Sequence, residues 1–368
     1  MPATERNVGI LALNSGSSSL KFGIYTAGSE PVERVSGSLE SVGDRHVFLL
    51  DSARGRSLRR VVRAGSALQA IFLLGEAREL PPPSVIGHRI VHGGVGLRQH
   101  VRVDDSVLRQ LDAASVFAPL HVPRALKLLV DAIATFPEAT QIACLDTAFH
   151  SGLPDVARVL PLPAAMRDAG VERIGFHGLS CESVLHQLGH DRPSRIVIAH
   201  LGSGCSVTAV RDGCSVDTSM GLTPAGGVMM ATRPGDLDPG ILLYLLRKGR
   251  CSTAGLEDML ERHAGLSGVS GSSSDARELL AQSATQPMAA LALAQFTRSV
   301  AKHIAGMIVS LGRIDLLVFT GGIGEHAVTL RADILHQLAP LVSDLAVRVV
   351  PARENDCIAR HAWKLARH

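Results

Sequence analysis

The sequence predicts an α/β chain of two similar domains facing each other across a cleft. Apolar runs of strand length alternate with segments of helical periodicity. A strand, a turn of small residues and a second strand open the chain over 8–25, and the same unit recurs over 195–210. At 368 residues the chain is long enough for two domains. The expected division is 1–148 completed by 326–368, and 149–325.

In order, 8–13 reads as a buried strand, 14–19 as a turn of Asn, Gly and Ser, and 20–25 as the partner strand. Two further strands, at 47–50 and 57–62, fit a meander with a turn at 51–55. The basic residues between Arg54 and Arg63 read as a solvated hairpin face. Residues 66–80 have helical period and stop at Pro81-Pro82-Pro83. An apolar strand then carries His88, Arg89 and His92 into Gly93-Gly94. Helices are expected at 103–117 and 124–135, and a strand at 141–145 with Asp146 at its end. The second half has strands at 195–200, 207–210 and 214–217, the first two joined by the turn Leu201-Gly202-Ser203-Gly204-Cys205-Ser206. A Gly-, Pro- and Met-rich loop, 221–240, leads into a helix from Ile241. A Gly/Ser loop, 265–274, ends at Asp275, a good N-cap. A long helix (288–311), a strand (315–320), the turn Gly321-Gly322-Ile323-Gly324 and a helix opened by Glu325 follow.

Composition narrows the function. Aromatics make up 3% of the chain, so the core must be Leu, Val, Ile and Ala, and stacking platforms for single-stranded nucleic acid are not expected. A net charge of +3 is too small to imply a polyanion partner. Cys144, Cys181, Cys205, Cys214, Cys251 and Cys357 form no C-x-x-C pair, which argues against a zinc ribbon and fits reduced thiols. Residues 1–7 lack the apolar core of a signal peptide, and no apolar run reaches the ~18 residues of a membrane span. A soluble cytoplasmic protein without a membrane partner is expected.

Three small-residue turns carry the chemistry. Gly and Ser leave backbone N–H groups uncovered, and such turns form anion-binding nests. Asn14 can bond a phosphate or a metal-bound water, and Lys21 adds a point charge. The turns at 14–19, 202–206 and 321–324 can each touch a nucleotide, the first two holding its phosphates between them. Asp146 and Glu325, at strand or turn ends, suit Mg²⁺ through oxygen or water ligands. Arg89 and Arg233 suit a bidentate grip on a carboxylate or a phosphoryl group. These parts match phosphoryl transfer, where catalysis is positioning plus charge neutralisation. The plain alternatives are a capped polar hairpin, structural salt bridges and a first-turn helix charge. Two other motifs carry less. Gly322-Ile323-Gly324-Glu325-His326-Ala327 matches a dinucleotide fingerprint only loosely, near the C-terminus. Ser18-Ser19-Leu20-Lys21 matches S-x-x-K without the K-T-G or S-D-N that should accompany it.

The chain resembles the acetokinase (acetate kinase) family over nearly its whole length. The motifs that carry the resemblance are Asn14-Ser15-Gly16-Ser17-Ser18-Ser19-Leu20-Lys21, Gly87-His88-Arg89-Ile90-Val91-His92-Gly93-Gly94, Asp146-Thr147-Ala148-Phe149-His150, Gly175-Phe176-His177-Gly178, Val216-Asp217-Thr218-Ser219-Met220-Gly221-Leu222-Thr223-Pro224 and Gly321-Gly322-Ile323-Gly324-Glu325. The resemblance implies the ribonuclease H-like fold of actin, Hsp70 and the sugar kinases, with 149–325 as the nucleotide-binding domain. It implies ATP and acetate giving ADP and acetyl phosphate, reversibly, with Mg²⁺ or Mn²⁺, and a homodimer. It places Asn14, Ser17, Ser19 and Lys21 near the phosphates, and Arg89 and Arg233 on the carboxylate and the in-flight phosphoryl group. His177 is given a transition-state hydrogen bond, with His121 in support. Asn14, Asp146 and Glu325 become metal or catalytic oxygen donors. His200, Gly202, Ser203, Gly204, Asp275, Ala276, Arg277, Gly321, Gly322, Ile323 and Gly324 line the ATP site, and Val91, Leu120, Phe176 and Pro224 the methyl pocket. His88, His92 and His150 read as structural, as His200 does in the main.

The chain departs from the family pattern at Ser203 and Val122, where the family usually has Asn, at Pro234, which is more often Ser, and at His326, usually Asn. It is also short between Ser36 and Pro83. Serine at 203 loses the reach of an amide, and Pro234 biases Arg233 toward extended backbone. The bulk of Val91 favours acetate over propionate or butyrate. A non-catalytic ATP-binding regulator of the same fold would not need Arg89, Arg233 and His177 together.

Overall fold

The computed structural model describes residues 8–15, 20–42, 45–50 and 58–367. The chain divides into two compact units, Met1–Ala148 with Arg353–His368, and Phe149–Ala352.

The first unit is built on an eight-stranded sheet. Its strands are β1 (Gly9–Ser15), β2 (Leu20–Thr26), β3 (Val32–Val42), β4 (Arg45–Leu50), β5 (Leu58–Arg63), β6 (Pro83–Ile90), β7 (Val101–Arg102) and β8 (Thr140–Leu145). The order is β5-β4-β3-β2-β1-β6-β8-β7. β1 to β5 form an antiparallel meander, whereas β1, β6 and β8 run parallel. Central β1 is almost wholly apolar because both of its faces are covered. On one face Leu11, Leu13, Phe22, Ile24 and Phe48 pack with Leu68, Ile71 and Leu74 of the helix Ala67–Glu76 and Ala132 of the helix Val122–Thr135. The other face receives the helix Glu354–Ala366, which lies against β1, β6 and β8. It comes so near β6 that a Cβ on Gly87 would stand 2.6 Å from Ile358 Cγ2, so a side chain at Gly87 would push the helix off. Tyr25 Oη donates to Asp356 Oδ1 (2.8 Å) and Trp363 Nε1 to the Gly28 carbonyl (2.9 Å), fastening both ends of that helix.

The second unit holds β9 (Arg195–Leu201), β10 (Cys205–Arg211), β11 (Cys214–Thr218), β12 (Leu316–Thr320) and β13 (Val347–Val349), in the order β11-β10-β9-β12-β13. The helix Gly178–Leu188 covers one face, with Cys181, Val184 and Leu185 in a cluster with Ile196, Ile198, Val210 and Val318. The 25-residue helix Pro287–Leu311 lies against β9, β10 and β11. β11 to β9 are antiparallel neighbours, and β9, β12 and β13 are parallel. The set β3-β2-β1-β6-β8 of the first unit has the same order and directions. The repeat seen in sequence as two hairpins is therefore a repeated five-strand topology.

Three expectations change. Residues 326–352, assigned by sequence to the first domain, belong to the second unit. β13 pairs with β12 (Leu317 opposite Val347), and the helix Val328–Leu338 packs on Pro287–Leu311. Within 265–274, read as a loop, Gly265–Ser270 is helical, anchored by fully buried Leu266. The turn at Gly321 is itself the start of a helix, Gly321–His326, so Glu325 lies within it and does not open it. The turn expected at 51–55 lies outside the described residues.

Candidate functional site

In the first unit the chemistry gathers where the parallel strands end. Asn14 stands near the end of β1, Arg89 near the end of β6, and Asp146 directly after β8. This is the carboxyl edge of the sheet, where α/β proteins gather ligands. Arg89 donates from Nε (2.9 Å) and Nη2 (2.5 Å) to Asp146 Oδ2, and from Nη1 to Asn14 Oδ1 (3.2 Å). Asn14 Nδ2 in turn donates to Glu354 Oε2 at 2.7 Å. Burial works against the Arg89 cation, but Asp146 and then Glu354 outweigh it and hold its pKa above the usual value. Arg89 is thus a permanent cation pointed by a fully buried carboxylate. Val91 follows the strand and is 7% exposed. Leu120 and His121 are half-buried, with His121 at the N-cap of Val122–Thr135. Val122, at the head of that helix, is buried. Lys21 is exposed and pairs across the hairpin with Asn14. Ser17 and Ser19 lie outside the described residues.

In the second unit β9 and β12 end side by side, with Thr320 opposite His200. The turns Gly202–Gly204 and Gly321–Gly324 therefore share one edge. Gly321 has φ +78°, and a Cβ there would lie 2.8 Å from the Leu201 carbonyl oxygen, so only glycine lets the two turns touch. His177 has φ 58°, ψ 26°, an uncommon conformation for a non-glycine residue and one that clusters at functional sites. Its Nδ1 is 2.9 Å from Ser206 Oγ, and its ring stacks on His200 (4.2 Å between centroids). His200 Nδ1 meets Ser180 Oγ at 2.8 Å. A Cβ placed on Gly204 would lie 3.2 Å from His177 Nε2 and 3.8 Å from Arg233 Nη1, so imidazole and guanidinium both face this turn. Arg233 donates from Nε to Glu261 Oε2 (2.7 Å) and from Nη1 to the Pro224 carbonyl (3.2 Å). Ser203, the departure from the family, is exposed, and its carbonyl accepts from Ala231 N at 3.2 Å. Phe176 is buried, and its carbonyl meets His150 Nε2 at 2.9 Å. Burial pulls the His150 pKa down to about 4 even against that bond. Asp275 caps the helix Ala276–Gln282 and pairs with exposed Arg277 at 2.6 Å, while Ala276 is buried.

Glu325 is held by two backbone donors. It lies in the second unit, and its Oε1 accepts from Gly321 N (3.0 Å) and Ala352 N (2.9 Å), fastening the turn. The acid that joins Asn14 and Arg89 is Glu354, which sequence reasoning missed. Its only local signal is that it is one of two acids, with Asp356, in the first turn of the last helix. Glu261, the partner of Arg233, was missed as well, and Ser206, the partner of His177, was read only as part of the 202–206 turn, because sequence offers no spacing rule for such pairs.

The Acetokinase family profile matches residues 9–361. The chain is 37% identical over 392 residues to the acetate kinase of Rhodopseudomonas palustris strain TIE-1, covering 97% of this chain and 98% of that one. It is 40% identical over 356 residues to the propionate kinase of Edwardsiella piscicida, covering 94% and 87%. Among solved structures, a propionate kinase from Francisella tularensis subsp. tularensis SCHU S4 matches with a TM-score of 0.86 at 31% identity, covering 97% of this chain and 100% of that one. Porphyromonas gingivalis acetate kinase matches with a TM-score of 0.83 at 29% identity, covering 98% and 100%. The two sheets are those of the acetate and sugar kinase, Hsp70 and actin fold, and the chain belongs to the acetokinase family.

Proposed function

We propose that the chain is an acetate kinase, moving the γ-phosphoryl group of ATP reversibly to acetate to give ADP and acetyl phosphate. One observation carries the proposal: His177 Nε2 and Arg233 Nη1 flank Gly204 in the second small-residue turn. A carboxylate nucleophile is already ionised at pH 7, so the reaction needs no general base. It needs cation density to let two anions meet, and fixed donors where charge develops. Arg89 and Arg233 supply the cations, gripping the carboxylate and the phosphoryl group. His177 donates a hydrogen bond to that group, and His121 assists. The N–H groups of 202–204 and 321–324 take the phosphates, and Asp275 to Arg277 take the nucleoside. Val91, Leu120, Phe176 and Pro224 remain the proposed methyl contacts.

Asn14 Oδ1, Asp146 and Glu354 are the hard oxygen donors of this edge that we propose for Mg²⁺ or Mn²⁺. We propose Glu354 in this set in place of Glu325. The ion, when bound, neutralises phosphate charge. A homodimer is supported by the helix Pro239–Arg247, which buries none of its residues although it presents Ile241, Leu243 and Tyr244 at 44–54% exposure. A second copy of the chain would cover that apolar face. A cytoplasmic setting is supported by six free cysteines. Among the described residues no helix is long and apolar enough to cross a membrane.

Trapping acyl phosphate with hydroxylamine tests the proposal, comparing acetate, propionate and butyrate. Acetate should give the most hydroxamate. Hydroxamate chiefly from propionate would make the chain a propionate kinase, in line with the Edwardsiella relative. None from any acid, despite ATP binding, would leave the regulator of the same fold.

A further inference from the structure

We infer that Glu261 is a positioning residue for Arg233, fixing the direction of its guanidinium before any substrate arrives. The inference rests on the reading of Arg233 as a group that grips the reacting anion. Glu261 is the penultimate residue of the helix Thr253–Arg262, outside every motif that carries the family resemblance. Its Oε2 accepts a hydrogen bond from Arg233 Nε at 2.7 Å, with both side chains mostly buried, at 14% and 17% exposure. A bond at Nε fixes the rotation of the planar guanidinium, because Nη1 then lies on the edge opposite the carboxylate. Nη1 accordingly reaches the Pro224 carbonyl (3.2 Å) and the space beside Gly204, next to His177 Nε2.

The helix end and the Arg233 backbone also form one rigid piece. Thr232 Oγ1 donates to the Glu261 carbonyl (2.8 Å), Ala264 N to the Thr232 carbonyl (3.0 Å), and Met230 N to the Arg233 carbonyl (2.9 Å). Leu266 N closes the piece onto the Met230 carbonyl at 2.9 Å. Pro234 restrains the same stretch from the other side. A long, rotamer-rich side chain thus stands pre-organised, with its anchor on the element that holds its own backbone.

A double-mutant cycle tests this. Glu261→Ala should lower kcat about 30- to 100-fold, the scale of a misplaced catalytic group, with KM for ATP held within about 2-fold. Glu261→Gln, whose amide oxygen still accepts from Nε, should stay within about 5-fold of the parent. In an Arg233→Ala background, adding Glu261→Ala should cost less than about 2-fold more. Equal losses in both backgrounds would overturn the inference. So would a Gln variant as impaired as the Ala variant while melting at the parent temperature. Near-normal turnover in Arg233→Ala alone would instead overturn the role of Arg233 itself, so the two failures are distinct.

Discussion

The two units place their chemistry at the same topological point and fill it with opposite kinds of group. Each runs a hairpin into parallel strands, and each gathers side chains where those strands end. In the first unit that edge is ionic, with Asn14, Arg89, Asp146 and Glu354 joined in one chain of bonds. In the second it is made of glycines and imidazole rings, with Gly202, Gly204, Gly321, His177 and His200. Topology decides where a site forms, and side chains decide what it does. Each unit also keeps one arginine with one carboxylate, but the sources differ. The partner of Arg89 comes from the neighbouring strand end, whereas that of Arg233 comes from a helix outside the sheet.

The largest expected effect tests whether the two arginines are equivalent. Arg89→Ala and Arg233→Ala should each lower kcat at least about 10²-fold, below the ~10³–10⁵ range of arginine-finger effects. A steady-state hydroxamate assay reads both, and near-normal turnover in either would break the parallel.

The next concerns a likeness between the units. Each buries a neutral histidine, His88 bonded to Gln141 (2.8 Å) and His150 bonded to Ser215 (2.8 Å). Burial lowers each pKa to about 4, against an unfolded value of about 6.5. Between those values the unfolded chain binds a proton that the native one does not. Stability should therefore be full above about pH 6.5 and fall as the pH drops toward 4, by roughly 3 kcal/mol per histidine at most. Melting at pH 7 and pH 5 should show His88→Gln and His150→Gln each flattening part of that slope. A slope unchanged in both variants would rule the pair out as its source.

The metal assignment is sharpened by comparing two glutamates. Glu354→Gln should raise the Mg²⁺ concentration for half-maximal activity about 10- to 100-fold. Glu325→Gln should act mainly on thermal stability, because that carboxylate fastens Gly321 and Ala352. A larger Mg²⁺ shift from Glu325→Gln would return the metal to the second unit.

The smallest effect tests selectivity. Val91→Ala should raise the propionate-to-acetate ratio of kcat/KM by about 10-fold, the low end of what one or two methyl groups are worth in a pocket. An unchanged ratio would remove Val91 from the acceptor contacts.

What could be foreseen followed from locality. Asn14, Arg89, Asp146, Gly202 and Gly321 sit at strand ends that apolar runs announce within a few residues. The repeated hairpin was legible for the same reason. Glu354 was not, since it meets Asn14 from 340 residues away and no local pattern marks which strand a terminal helix will cover. β13 was missed because it is three residues long and exposed throughout, with no alternation to read. The helix Gly265–Ser270 was hidden by its Gly and Ser content, and Leu266 overrode that propensity through burial.

The terminal helix that covers β1 and β6 has a further consequence for how the chain is made. Vectorial synthesis delivers the sheet of the first unit early and its covering helix only after the whole second unit. At ~5–20 residues per second the delay between Ala148 and completion of the helix Glu354–Ala366 is roughly 10 to 45 seconds. Through that interval one face of the first sheet lacks its cover, while the second unit, Phe149–Ala352, can emerge and close without interruption. The nascent chain is then most exposed to aggregation and to chaperones at β1, β6 and Gly87. The acid that meets Asn14 is delivered by the same late step.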